Sequence, residues 1–381
     1  MTQAVVVGAG IVGAACAYYL SAAGIDVTVV DRGQIGAGTT SRGEGNILVS
    51  DKGPGPELEL MRLSRTLWLD LAGDVGAAAI ELERKGGLVV ATSPAALGPL
   101  HEFAAAQAAA GVRTVEISRP TDFEPHVDPG LPGGVLYPED MQVQPVLAAA
   151  HLLASARQRG ARVMQRTAVH GVRTDSGGAV TGIDTSSGPL RADVIVNAAG
   201  TWGGEVGEAM GAGIPVLPRK GYVLVTEPLP TVVRRKVYSA DYVANVSSSD
   251  AGLETSCVVE GTRGGTVLIG ASRQRVGYDT TIDAEVVSTL ARQAVTLFPM
   301  LKAVNLMRVY CGFRPYCPDH LPVIGPDRRV PGVYHACGHE GAGVGLAPAT
   351  GYAVTRQILG QPVGAPMSSF SPDRFVGGAA A

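Results

Sequence analysis

Net positive charge is what this chain most plainly lacks: 31 Lys and Arg stand against 34 Asp and Glu, a formal charge of −3. With no basic stripe to reverse that balance, there is no electrostatic case for nucleic acid or an anionic membrane surface as partner. Cysteine is scarce and unpaired. Cys16, Cys257, Cys311, Cys317 and Cys337 are odd in number and show no C-x-x-C spacing. They read as reduced thiols, which excludes a disulfide framework and a zinc site. No H-E-x-x-H, EF-hand or P-loop pattern occurs, so no metal is expected. Nor is there a charge-free apolar run of about eighteen residues, the length a spanning helix needs. The first apolar run begins at Ala4, which leaves no room for a secretory leader, so a cytoplasmic protein is expected.

Glycine, by contrast, is abundant, at 51 residues beside only 5% aromatics. That balance suits a nucleotide-binding α/β protein with many tight turns. The stretch "VVVGAGIVGAACAYYLSAAGIDVTVVDRG" from Val5 to Gly33 shows where a nucleotide would sit. An apolar run leads into Gly8, Gly10 and Gly13, a small-residue helical pattern follows over 11–23, and a second apolar run ends at Asp31. In such a unit Gly8 turns the chain, Gly10 lets a pyrophosphate approach, and Gly13 lets the helix pack on the strand. The helix start at Ile11 and Val12 offers unpaired N–H groups to phosphates. Asp31 and its neighbour Arg32 are placed to meet an adenosine ribose. The turn does not separate NAD from FAD.

Farther along, 57–71 has helical spacing, 87–92 reads as a strand and 94–111 as an alanine-rich helix. Segment 118–139 is rich in Pro, Asp and Gly and reads as a connection between domains. A helix over 145–159 opens with Pro145 and stops before Gly160. Segment 161–200 has short apolar runs split by "DSGG" and "TSSG", the signals of an antiparallel meander, and closes on an apolar strand over 193–197. From 214 to about 308 the character changes: "YVLVTEP", "TSCVVEG", "GTVLIGASR" and "GYDTTID" read as strands before a helix over 284–298. The tail after Ser369 is expected to fray.

The stretch "CGFRPYCPDHLPVIGPDRRVPGVYHACGHEGAGVGLAPATG", residues 311–351, completes the pattern. With "GTTSRGEGNI", "VNAAGTW" and "GTVLIGASRQRVGYD" in the same order, the chain resembles the D-amino-acid oxidase-like family over nearly its whole length. These are FAD-dependent amine and amino-acid oxidoreductases, including glycine and sarcosine oxidases and flavin subunits of multi-subunit dehydrogenases. The resemblance implies an α/β fold: a discontinuous Rossmann-like FAD-binding domain over 1–85, 140–213 and 309–369. A substrate-binding domain of mainly antiparallel sheet and helices would take 86–139 and 214–308, leaving 370–381 as a flexible tail.

Candidate site residues follow from the residue chemistry and from the resemblance together. Gly341, Ala342, Gly343, Val344 and Gly345 form a glycine-rich helix start, whose N–H groups suit the negative charge that develops on a reduced flavin ring. The bland alternative is a glycine-rich turn with no ligand. Arg314 in "GFRP" can fork onto a carboxylate, as the arginine of this motif does in the family; otherwise it bridges domains. The loop beneath pyrophosphate and ring would supply Thr39, Thr40, Ser41 and Arg42, with Gly45 and Asn46 near the ring. Arg42 is equally a solvated loop charge. Val169 matches a backbone contact to adenine, and Ala199, Gly200 and Trp202 line a returning turn, although Trp202 is equally plain packing. The cysteine that links FAD covalently in sarcosine oxidases falls on Gly312 here, so the FAD is expected to be non-covalent, with Cys311 the position to check. Tyr222, Tyr242 and Tyr278 are half-buried sheet residues or substrate contacts, Tyr242 first among them, and His339 is either catalytic or structural.

The expected chemistry is oxidation of the C–N bond of a small amino or imino acid by hydride transfer to flavin N5, giving an imine that hydrolyses. Partners would be that small-molecule substrate, with a partner subunit or a second copy of the chain still open. An NAD(P)-linked dehydrogenase would share residues 4–31 but has no need of the C-terminal glycine motif. A non-catalytic flavoprotein subunit is the third reading.

Overall fold

The first apolar run shows no polar alternation, the pattern of a strand covered on both faces. The computed structural model describes residues 2–242 and 248–376, and places that run as Gln3–Val7 inside a six-stranded sheet. From edge to edge the order is Val323–Pro326, Val333–Cys337, Val194–Asn197, Gln3–Val7, Asp26–Val30 and Arg162–Met164. All neighbours are parallel except the first pair.

The helix Ile11–Ala22 packs against Pro145–Gln158 and Gly343–Ile358. A helix crowded on several sides needs small residues, and Ala14, Ala15 and Ala17 are fully buried. Two glycines allow the closest approaches. A Cβ on Gly13 would lie 1.9 Å from the Gly8 oxygen, and one on Gly351 2.6 Å from the Ala15 carbonyl carbon. Trp68 in the helix Pro56–Val75 is fully buried and donates its indole N–H to the carbonyls of Val344 and Gly345, at 3.2 and 3.1 Å.

The second sheet has eight strands, ordered Leu306–Tyr316, Leu217–Thr226, Val267–Arg273, Glu254–Gly261, Lys236–Ser239, Gly87–Ala91, Gly133–Tyr137 and Val115–Ile117. It is antiparallel apart from Lys236–Ser239 against Gly87–Ala91. The helix Ala284–Leu297 covers one face of it. Val286, Leu290, Ala294 and Leu297 recur on a single helical face and are buried there.

Several local readings are corrected. "GYDTTID" is not a strand: its backbone makes one isolated bridge, Val276 to Tyr278, and Thr281 N instead donates to the Asp279 carboxylate in a turn. Segment 118–139 is more than a connector, because Gly133–Tyr137 is a buried strand of the large sheet whose Pro- and Gly-rich flanks masked it. Arg162–Met164 leaves the meander and joins the parallel sheet beside Asp26–Val30. The tail does not fray at 370. Phe370 is fully buried, and Arg374 in the turn Pro372–Phe375 pairs with Asp319 at 2.5 Å. Residues 377–381 of that expected tail lie outside the described residues.

Candidate flavin and substrate site

A parallel sheet presents its carboxyl edge to ligands where connections diverge to either side. Here that edge opens into a cleft of about 430 Å3, walled by both sheets. Gly8 begins it with φ +114°, and a Cβ there would stand 2.4 Å from the Ala198 oxygen. Gly10 caps the first helix, with Ile11 and Val12 behind it in the same wall. Asp31 lies opposite, its carboxylate accepting from Ala9 N and Gly33 N, each at 2.7 Å. It therefore fixes the glycine turn as well as facing the cleft. Arg32 stacks its guanidinium 4.2 Å above Trp202, which lies parallel to Tyr278 with centroids 5.8 Å apart.

The loop expected beneath the ligand is held from below. Thr40 Oγ1 accepts from Ile11 N at 3.0 Å, and Thr39 Oγ1 donates to the Phe313 carbonyl at 2.7 Å. Arg42 and Asn46 line the cleft, as do Val169, Ala199, Gly200, Gly312, Gly341, Gly343 and Val344. Five expected residues do not form its wall. Ser41 donates back to the Ala37 and Gly38 carbonyls. Gly13, Gly45 and Gly345 are packing glycines, whose added Cβ would meet Gly8 O at 1.9 Å, Val143 O at 1.6 Å and Met61 Cε at 2.7 Å. Ala342 borders instead a second, smaller chamber of about 240 Å3.

That chamber shares Tyr242, Arg314, His339, Glu340 and Gly341 with the cleft, and adds Asp51, Lys52, Glu57, Phe103, Arg273 and His320. Arg314 projects from the strand Leu306–Tyr316, with Nη1 donating to the Ser272 carbonyl at 2.7 Å. Burial, and then the neighbouring Arg273, lower its pKa to about 10. Tyr242 packs edge-on to Tyr238 and lies 4.7 Å beneath the Arg273 guanidinium. Tyr222 is turned away, its hydroxyl donating to the Thr281 carbonyl.

His339 is 3% exposed, and its Nε2 meets the Thr350 hydroxyl at 2.9 Å. Burial lowers its pKa from 6.5 to about 3, so the ring is neutral and a poor proton carrier near neutrality. The unfolded chain takes up a proton at this ring below about 6.5 and the folded chain does not. Stability tied to His339 is therefore full above the unfolded value and lost as pH falls toward the folded one. The wild type should accordingly lose melting temperature relative to His339→Gln as pH falls from 6.5 toward 3. Parallel melting curves against pH for the two proteins would sink this assignment.

Sequence reasoning missed a buried charge cluster in the cleft wall. Lys236 Nζ lies 2.8 Å from Glu260 and 3.3 Å from Glu44, and it also contacts Asn46 Oδ1. Glu44 Oε1 is buried and has no hydrogen-bond partner among the described residues, 2.5 Å from where a Gly270 Cβ would stand. Arg273 and Glu340 were likewise missed as site residues. The usable signal for Arg273 was a charge ending an otherwise apolar strand, "GTVLIGASR".

The walls suit a flat ring joined to a pyrophosphate: backbone glycines on two sides, a helix start at each end and guanidiniums at the margin. Among the wall glycines Gly312 is packed tight, an added Cβ standing 2.4 Å from Arg42 Cβ, whereas at Gly43, Gly200 and Gly341 it would meet no protein atom nearer than 3.8 Å and would take up cleft space. The model of the FAD dependent oxidoreductase family matches residues 3–357. The chain belongs to this family. FAD is therefore its cofactor, which rules out the NAD(P)-linked reading of the glycine turn, and the chain is an oxidoreductase. It is 28% identical to glycine oxidase of Geobacillus kaustophilus over 383 residues, 98% of this chain and 97% of that one. The crystal structure of glycine oxidase from that organism superposes with a TM-score of 0.88 at 25% identity, covering 99% of this chain and all of the other. Hydrogen cyanide synthase subunit HcnC of Pseudomonas aeruginosa is 32% identical over 254 residues, 66% of this chain; the match spans 57% of that subunit. L-Proline dehydrogenase from P. horikoshii shares the fold, with a TM-score of 0.89 at 24% identity. Among the described residues no helix is long and apolar enough to cross a membrane, and no acid, His or Cys group is arranged to hold a metal.

Proposed function

We propose that this FAD-dependent oxidoreductase oxidises the C–N bond of a small amino or imino acid bound where the two chambers meet. The observation that carries the reading is Arg314, which faces both chambers and has no carboxylate partner among the described residues. A guanidinium so placed has free N–H donors for a substrate carboxylate, and its fork fixes the orientation of that group. Bound FAD supplies a two-electron acceptor for the hydride on the substrate carbon next to nitrogen. The chain's part is to anchor and orient the substrate: Arg314 holds the carboxylate, while Tyr242 and Phe313 wall the site against water. The amine must be neutral to react, and desolvation in this chamber lowers its pKa. No dedicated acid–base pair is required when positioning carries the catalysis.

The AMP half of FAD is assigned to Gly8, Gly10, Asp31 and Val169. The ring is assigned to the region of Asn46, Gly312 and Gly341 to Val344. The cofactor part is taken as 1–85, 140–213 and 309–369 and the substrate part as 86–139 and 214–308, with the strand Leu306–Tyr316 running through the boundary. The test is an anaerobic screen of glycine, sarcosine, D- and L-amino acids, prolines and opines for bleaching of the flavin. No bleaching by any of them would sink the reading. The likeness to a hydrogen cyanide synthase subunit favours a second version, in which electrons pass to a partner subunit. It predicts flavin reduction by substrate with little oxygen consumption by the chain alone.

The flavin should be non-covalent. Gly312 has no room for a linking side chain, and Cys311 directs Sγ toward the Thr280 carbonyl at 3.6 Å, outside the cleft wall. Acid precipitation should leave the yellow colour in the supernatant. Colour retained in the pellet would point back to Cys311.

A further inference from the structure

Around the smaller chamber the charges can be paired off one at a time. Lys52 Nζ lies 2.8 Å from Asp51 and 3.8 Å from Glu57. Glu340 sits between His320, at 2.9 Å, and Arg219, at 3.5 Å. Every carboxylate in the wall is engaged. Two guanidiniums remain. Arg273 and Arg314 have no carboxylate within 4.0 Å among the described residues.

Arg273 is 3% exposed, and among the described residues its side chain makes one long hydrogen bond, Nη1 to Ser256 Oγ at 3.5 Å. The Tyr242 ring beneath it fixes its plane. Arg314 spends one N–H on the Ser272 carbonyl, next in the chain to Arg273. A guanidinium carries five N–H donors, so most donors of both groups are left for a ligand. Burying two like charges side by side is costly unless a counter-charge joins them. A single substrate carboxylate neutralises only one of them.

We infer that the substrate is a dicarboxylic amino or imino acid, with Arg314 taking the carboxylate on the carbon that is oxidised and Arg273 taking the second. This rests on the amino-acid reading above and makes Arg273 the residue that sets substrate class. Glycine, sarcosine or proline would leave the Arg273 charge uncompensated. A two-headed acid satisfies both forks and cancels their repulsion.

The holoenzyme tests this with matched pairs differing by one carboxylate. Iminodiacetate against sarcosine and glutamate against norvaline are compared by anaerobic flavin reduction. The inert ethers diglycolate and methoxyacetate are compared by perturbation of the flavin absorbance and by thermal shift, which need no turnover. At least one dicarboxylate should exceed its partner by about tenfold or more, the worth of one charge-assisted contact. Diglycolate should bind more tightly than methoxyacetate by a similar factor. Arg273→Met should bring these ratios toward one, with Arg273→Lys recovering part of the preference. Should no amine bleach the flavin while diglycolate is still preferred, the oxidation reading fails and the dicarboxylate site stands. Equal response to both members of every pair, in the wild type, overturns the inference without recourse to a variant.

Discussion

Arg314→Ala is expected to retain FAD and yet lower kcat/KM for an amino-acid substrate at least about a hundredfold, or roughly 2.7 kcal/mol. The guanidinium lies between two chambers, braced by the Ser272 carbonyl at 2.7 Å and pressed against Gly221, where a Cβ would stand 2.2 Å from Nη1. Its position is therefore set before substrate arrives. A bidentate carboxylate contact in that shielded place is worth about 1.5–3 kcal/mol, and misplacing the reacting C–H adds to the loss. Arg314→Lys should recover only part, because an ammonium is a point charge without the fork. An amine lacking a carboxylate should lose far less. Equal losses for both substrate types, or intact turnover, would make Arg314 a brace between the sheets, and the substrate class would reopen to simple amines.

Gly10→Val should fold and carry no flavin. Gly10 is the N-cap of the first helix with ordinary extended backbone, so a side chain there does not strain the chain. Its Cβ would point into the cleft mouth, 3.1 Å from the Thr40 hydroxyl that accepts from Ile11 N. A branched side chain would fill the space the pyrophosphate needs. Gly13→Val should behave differently. Its Cβ would fall 1.9 Å from the Gly8 oxygen, a backbone atom that cannot move aside, so the helix must leave the sheet and soluble folded protein should be lost. The pair is read by flavin-to-protein ratio and circular dichroism. A Gly10→Val protein with full flavin would show that the turn is structural only.

The turn around Gly8, Gly10 and Gly13 was legible because each glycine answers a local need: a positive φ, an open helix cap, a close helix–strand contact. Asp31 was legible for the same reason, although its carboxylate is first spent on Ala9 and Gly33 N–H groups. In the loop 39–46 the sequence marked the right segment but not the right atoms. Thr40, Arg42 and Asn46 line the cleft while Ser41 and Gly45 do not, because Ser41 bonds back to the Ala37 and Gly38 carbonyls and Gly45 packs on Val143. "GYDTTID" misled for a related reason: Thr and Tyr favour strands, but Asp279 captures the Thr281 N–H and closes a turn.

By itself the sequence determined the nucleotide turn and the two-sheet α/β plan and singled out Arg314 as the candidate anchor, since these rest on local spacing and on residue chemistry that few other positions share. Only the tertiary structure decided which charges meet. Lys236 reaches Glu44 from 192 positions away, Arg219 reaches Glu340 from the strand Leu217–Thr226, and Arg273 is left beside Arg314 with no acid to pair it among the described residues. Ion pairing depends on distance and burial, and neither is written in the order of residues along one strand.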